Sequence, residues 1–255
     1  MTAVAAVAIC ATILSAAATW YWRKTSVIKT AQVDFLAILL LGLFFISVGA
    51  SLYTVEPTDM GCIARTWLVL LGYTLTLIPR LVKIAAINTM MNQANKMRQV
   101  TVTKKKLYGT VAIIVAFVVS YLIVWTAVDP MLETISRQKV KADEEDSSVL
   151  ICKLCTSSTS TYNFWTCISL GALFLVLFGA AILAFQSRNV LQDFNESTSL
   201  ALSAYSHFII ATIRVAGVVV ASTTIQPPDR IIFANSFLFS ADVLLSLGLY
   251  FGPKF

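Results

Sequence analysis

Histidine is nearly absent: one residue, His207, stands in a chain of 255. Metal and acid–base chemistry that leans on imidazole is therefore disfavoured at the outset. Charge is scarce too, at 13% of residues against roughly a quarter in soluble domains. No Gly-rich loop and no interleaved basic and aromatic module is present, which argues against a nucleic-acid partner. The apolar stretches contain no paired aspartates, no Ser–His arrangement and no metal-ligand cluster. The expectation is a protein that is not an enzyme and holds neither cofactor nor metal.

What remains is hydrophobic. Apolar residues make up 58% of the chain, and the mean hydropathy is +0.80. They are gathered into seven stretches near 2–22, 33–53, 62–91, 107–128, 163–187, 199–222 and 230–251. Each has about the 20 residues needed to cross a bilayer as a helix. Membrane strands are disfavoured, because the runs are too long and lack a ten-residue alternation. The spacing predicts an all-α membrane protein, a single bundle of seven transmembrane helices over 1–255. Breaks fall at Val55-Glu56-Pro57, Asp129-Pro130 and Pro227-Pro228-Asp229.

The polar connections orient the bundle. Arg23, Lys24 and Lys29 follow the first stretch, and Lys96, Arg98, Lys104, Lys105 and Lys106 follow the third. The second connection carries Glu56 and Asp59, and the fourth the run Asp143-Glu144-Glu145-Asp146. Short Lys/Arg-rich loops stay in the cytosol, so the N-terminus is expected outside and the C-terminus inside. The first stretch has its positive charge after it, the reverse of a signal peptide, and is expected to be retained. The sequon Asn195-Glu196-Ser197 then lies on the cytosolic side and is expected to be bare.

Of the five cysteines, Cys10 and Cys167 fall in apolar stretches. Cys62 opens the third stretch on the outside, where Cys152 and Cys155 also lie, so a bridge from Cys62 to this loop fits an oxidising compartment. The spacing of Cys152 and Cys155 also matches a zinc or redox CxxC, but no second pair supports that reading.

Ionisable residues inside the stretches are costly and are usually paired or functional. Lys83 and Glu196 lie at similar depth near the cytosolic ends of the third and sixth stretches, which suits a salt bridge. Arg80 and Asp242 form a second candidate pair, both about 10–15 Å from the cytosolic face at 1.5 Å per residue. Arg214 is deeper, about 25 Å from that face, and is expected to face a wet cavity. His207 is expected to make a polar contact between helices, and Pro79 to bend the third helix.

Several segments, taken in order, resemble class C G-protein-coupled receptors, the family of metabotropic glutamate and GABA type B receptors. They are Val27-Ile28-Lys29-Thr30; Cys62 through Arg65, Trp67-Leu68 and Leu71-Gly72 to Lys83; and Lys106-Leu107-Tyr108. Further along come Trp125-Thr126-Ala127-Val128-Asp129-Pro130, Phe194-Asn195-Glu196 with Tyr205, and Phe251-Gly252-Pro253-Lys254. The Trp-x-x-Val-Asp-Pro ending looks like the GABA type B branch. The resemblance implies that Cys62 pairs with a loop cysteine, its spacing from the fifth helix favouring Cys155 over Cys152. It also implies that Lys83 and Glu196 form a cytosolic ionic lock with Thr30 nearby. Thr198 stands where the family has lysine, and Arg214 and Asp242 match no family feature.

The function implied is a transmembrane signalling core that couples an outer or allosteric signal to a heterotrimeric G protein. Lys96, Arg98, Lys104, Lys105, Lys106, Arg188 and Asn189 are candidate G-protein-facing residues, although topology and anionic lipid alone explain a basic run. Trp67, Tyr73, Trp165, Phe208 and Arg214 are candidate walls of an outer cavity. Membrane lipids and a second class C-like receptor in a homo- or heterodimer are the other expected partners, at the plasma membrane. No extracellular ligand-binding domain is read in these residues. The rival is a transporter or channel using Arg80, Arg214 and Asp242, but no internal repeat supports it. A retinal protein is excluded because the seventh stretch has no lysine.

Overall fold

The structure is a computed structural model that describes residues 2–24, 33–94, 104–139, 149–157, 162–186, 195–223 and 228–252. Among these residues lie seven helices: α1 (Thr2–Tyr21), α2 (Val33–Leu52), α3 (Asp59–Ala94), α4 (Lys104–Val128), α5 (Tyr162–Gln186), α6 (Asn195–Thr223) and α7 (Pro228–Phe251). Over their described residues, α1 to α5 and α7 are each long and apolar enough to cross a membrane. α6 carries Glu196, His207 and Arg214 along its length.

Outward-facing residues are as apolar as the interior. Ile113 and Phe117 on α4, Leu175 and Phe178 on α5, and Ile209 and Ile213 on α6 are all exposed. In water such a surface aggregates; in a bilayer it is solvated by acyl chains.

The 36-residue α3 is the axis of the bundle, touching α2, α4, α5 and α6. The remaining helices close around it, α6 packing on α5 and α7, and α1 on α2 and α7. Lipid removes most of the hydrophobic drive for helix association, so close backbone packing at small residues matters more. Gly42 of α2 and Gly72 of α3 provide it. A Cβ on Gly72 would lie 2.6 Å from Ile46 Cγ1 and 2.9 Å from the Gly42 carbonyl oxygen; one on Gly42 would lie 2.8 Å from the Gly72 oxygen. The start of α3 is set by Thr58, whose hydroxyl accepts from the Gly61 N–H at 3.2 Å as an N-cap. Pro79 lies inside α3 and cannot donate to the ladder there.

The connection between α4 and α5 is not strand-free: β1 (Met131–Lys139) and β2 (Val149–Ser157) form an antiparallel hairpin, with Met131 opposite Ser157 and Glu133 opposite Cys155. A two-stranded sheet has open edges and cannot close into a membrane barrel, so the hairpin leaves the helical bundle intact. The hairpin is tied to the N-terminal end of α3 in three ways. Cys62 and Cys155 form a disulfide across 93 residues of sequence. The Glu133 N–H donates to Asp59 Oδ1 at 2.8 Å, and the Thr66 hydroxyl lies 2.8 Å from Met131 Sδ.

Candidate functional site

Three helices meet at one carboxylate. Asp242 of α7 is 1% exposed, too buried to be left without partners inside a membrane bundle. The Tyr73 hydroxyl of α3 donates to its Oδ2 at 2.8 Å. His207 Nδ1 of α6 lies 2.7 Å from its Oδ1. The other ring nitrogen, Nε2, is 2.9 Å from Ser246 Oγ, one turn further along α7. Which of Nε2 and the Ser246 hydroxyl donates depends on the ring's tautomer. Arg214, two turns beyond His207 on α6, donates from Nη1 to the Tyr73 oxygen at 3.3 Å and stacks its guanidinium 3.7 Å from the centre of the Phe239 ring. The chain Ser246–His207–Asp242–Tyr73–Arg214 therefore links α3, α6 and α7 through side chains alone.

Arg80 is outside this network. The pair expected with Asp242 is not made in this structure. Depth matches, but Tyr73 and His207 already hold the carboxylate. Arg80 is 2% exposed, and none of its three guanidinium nitrogens has a hydrogen-bond partner. Its guanidinium carbon lies 5.7 Å from the centre of the Tyr250 ring. Arg214 is linked to Asp242 through the Tyr73 hydroxyl.

Above the network, beneath the hairpin, lies a cavity of about 150 Å³. Its polar wall includes Tyr53, Arg65, Thr66, Tyr73, Thr166, Ser169 and Arg214. Two of the five expected wall residues, Tyr73 and Arg214, line it. The other three pack elsewhere: Trp67 Nε1 donates to Thr126 Oγ1 at 2.9 Å, Trp165 stacks on Trp125 at 10° and 6.2 Å, and Phe208 meets Phe174 at 5.3 Å. Arg65 was not read as a wall residue. It sits eight residues before Tyr73, on the same face of α3, and its guanidinium lies 4.1 Å from the Tyr53 ring centre.

Of the remaining site residues, Cys155 takes the bridge from Cys62. Cys152 lies in β2 opposite Ser136. Lys105 and Lys106 are exposed in the first turn of α4, where Lys104 begins the helix. Lys83 is half-buried on α3, and Glu196 is in the first turn of α6; the Glu196 side chain is outside the described residues. Thr30, Lys96, Arg98, Arg188 and Asn189 are also outside them. No cluster of three or more His, Cys, Asp or Glu suited to a metal ion occurs among the described residues.

A helical bundle with six clear spans, a charged network across α3, α6 and α7, and a disulfide from α3 to a neighbouring hairpin defines a multi-pass membrane protein of the receptor type. The family model described as "7 transmembrane sweet-taste receptor of 3 GCPR" matches residues 1–254, and the chain belongs to this family, the class C G-protein-coupled receptors. The chain is 27% identical over 235 residues to the metabotropic glutamate receptor-like protein F of Dictyostelium discoideum, covering 92% of this chain and 29% of the relative. To protein J of the same organism it is 29% identical over 246 residues, again 92% and 29%. It is 27% identical over 198 residues to the gamma-aminobutyric acid type B receptor subunit 1 of Rattus norvegicus, 76% of this chain and 20% of the relative. The chain thus spans less than a third of the length of these relatives. The family is one of receptors, not enzymes.

Proposed function

We propose that this chain is the transmembrane signalling domain of a class C receptor, passing a signal from outside the cell to a heterotrimeric G protein. The observation that carries this reading is the Tyr73–Asp242–His207 junction, which binds three helices through one buried carboxylate. Because the junction is satisfied only when α3, α6 and α7 keep their present spacing, relative motion of these helices breaks it. Such a contact makes two discrete arrangements of the bundle energetically distinct.

The N-terminus faces outward and the C-terminus the cytosol. Supporting this are the basic residues at the start of α4 and after α1, and the disulfide-bridged hairpin with Asp59 at the opposite end. On the cytosolic side, Lys83 and Glu196 lock α3 to α6, with Thr30 beside them. Lys96, Arg98, Lys104, Lys105, Lys106, Arg188 and Asn189 form the surface offered to the G protein. The receptor works at the plasma membrane as a homo- or heterodimer with another class C-like chain. The support for dimerisation is the likeness to type B receptor subunits 1 and 2.

Charge reversal tests the lock. Lys83→Glu or Glu196→Lys, in the receptor expressed in cells, raises basal G-protein signalling severalfold, and the double reversal restores it toward the native level. Unchanged basal signalling in both single variants refutes the lock.

A further inference from the structure

Arg80 is the unexplained group in the core. A guanidinium offers five N–H donors and stays charged at any physiological pH. Here it is buried with every nitrogen lacking an acceptor. A buried guanidinium with no hydrogen-bond acceptor is disfavoured in a membrane bundle, even with the Asp242 carboxylate acting on it through space. A bundle that keeps such a group gains from an arrangement in which the charge is met.

Three features indicate what meets it. Asp242 is the only buried carboxylate in the middle of the bundle among the described residues; the other buried acid, Asp129, lies at the far end of α4. Arg80 follows Tyr73 by seven residues, so both lie on one face of α3, about 10 Å apart along the axis. Helical side chains lean toward their own N-terminus, which carries the Arg80 guanidinium toward the height of Tyr73 and Asp242. The residue before Arg80 is Pro79, and the helix lacks a ladder bond at that point. The direction of Arg80 is therefore set by the place where α3 bends most easily.

We propose that Asp242 changes partners between two states of the bundle. In the state described here Asp242 is held by Tyr73 and His207, and Arg80 has no acceptor. In the other, α3 bends at Pro79, Arg80 takes the carboxylate, and Tyr73 and His207 are released. Releasing Tyr73 also frees Arg214, whose Nη1 donates to the Tyr73 oxygen, so the exchange at mid-bundle reaches the cavity beneath the hairpin. The carboxylate exchanges its Tyr73 and His207 contacts for the Arg80 guanidinium, and no proton need be transferred. This deepens the reading of the chain as a two-state signalling domain and rests on it for its purpose, though not for its test.

The test uses the whole chain in lipid nanodiscs, with Cys10, Cys152 and Cys167 changed to serine and spin labels placed at Thr89→Cys and Gly252→Cys. Thr89 is exposed near the end of α3, and a Cβ at Gly252, just beyond α7, meets nothing within 4 Å. The label pair reads the α3–α7 distance by pulsed electron resonance. The native chain is expected to show two distance populations. Arg80→Met, which removes the unmet charge and so should fold well, is expected to reduce the second population about tenfold. In an Asp242→Asn background the same change is expected to alter the populations less than twofold, because the partner is already gone. A single population in the native chain overturns the proposal, as does an Arg80→Met effect below twofold or of equal size in both backgrounds. Guanine-nucleotide exchange on a G protein, measured on the same samples, separates the two claims. Two populations with no exchange leave the switch standing and remove the receptor reading. Exchange with one population does the reverse.

Discussion

Truncating Asp242 to alanine removes the carboxylate at which α3, α6 and α7 meet. Two contacts vanish, the Tyr73 hydroxyl bond at 2.8 Å and the His207 Nδ1 contact at 2.7 Å. Hydrogen bonds to a charged group contribute about 1.5–3 kcal/mol each, and two buried donors are left unsatisfied. Breaking a buried charged contact by removing one partner costs about 3–5 kcal/mol, the range expected here. Asp242→Asn is gentler. The amide oxygen still accepts from Tyr73. The His207 ring can move its proton to Nε2 and donate to Ser246, leaving Nδ1 to accept from the new amide. That variant should lose about 1–2 kcal/mol, the difference between charge-assisted and neutral bonds. Intrinsic tryptophan fluorescence during thermal unfolding in a fixed detergent orders the three proteins: native, then Asp242→Asn, then Asp242→Ala. The alanine variant should melt about 10 °C below the native chain. A shift for Asp242→Ala no larger than that of a lipid-facing change such as Leu175→Ala refutes the idea that this junction holds the helices.

Three further outcomes follow. Gly72→Val places a branched side chain where even a Cβ lies 2.6 Å from Ile46. It should force α2 and α3 apart, costing more than about 3 kcal/mol and reducing the yield of folded protein in size-exclusion chromatography. Cys155→Ser opens the bridge to Cys62 and should destabilise by about 2–4 kcal/mol, whereas Cys152→Ser should leave the melting temperature within about 1 °C. Trp165→Ala removes the stacked contact with Trp125 and should cost about 3–5 kcal/mol in the same melting assay.

The helices were readable because a run of about 20 apolar residues is a strong and local signal. Their ends were less so. The third stretch extends to Asp59–Ala94 because Thr58 caps it before the apolar run begins, and the cap is a tertiary detail of one hydroxyl. The hairpin was missed because its two strands flank a run of four acids and read as a polar loop. Their pairing is non-local, supported by the Cys62–Cys155 bridge and the Asp59 contact. At the site, depth along a helix was legible and rotation about its axis was not. Arg80, His207, Asp242 and Arg214 were all recognisable as costly residues inside the membrane. Which of them touch depends on the angle each helix presents. Tyr73 sits two turns above Arg80 on α3 and occupies the carboxylate first. A tyrosine in an apolar run carries no charge to mark it as that partner.

In the proposed function, the Tyr73–Asp242–His207 junction holds a signalling bundle in one of two states. The most direct measurement is guanine-nucleotide exchange on a heterotrimeric G protein by this chain in nanodiscs, compared with empty nanodiscs. The native chain should accelerate exchange measurably, and Tyr73→Phe, which deletes only the hydroxyl bound to Asp242, should change that rate severalfold without changing the amount of folded protein. Exchange equal to that of empty nanodiscs across a panel of G-protein types, for both the native chain and Tyr73→Phe, would contradict it.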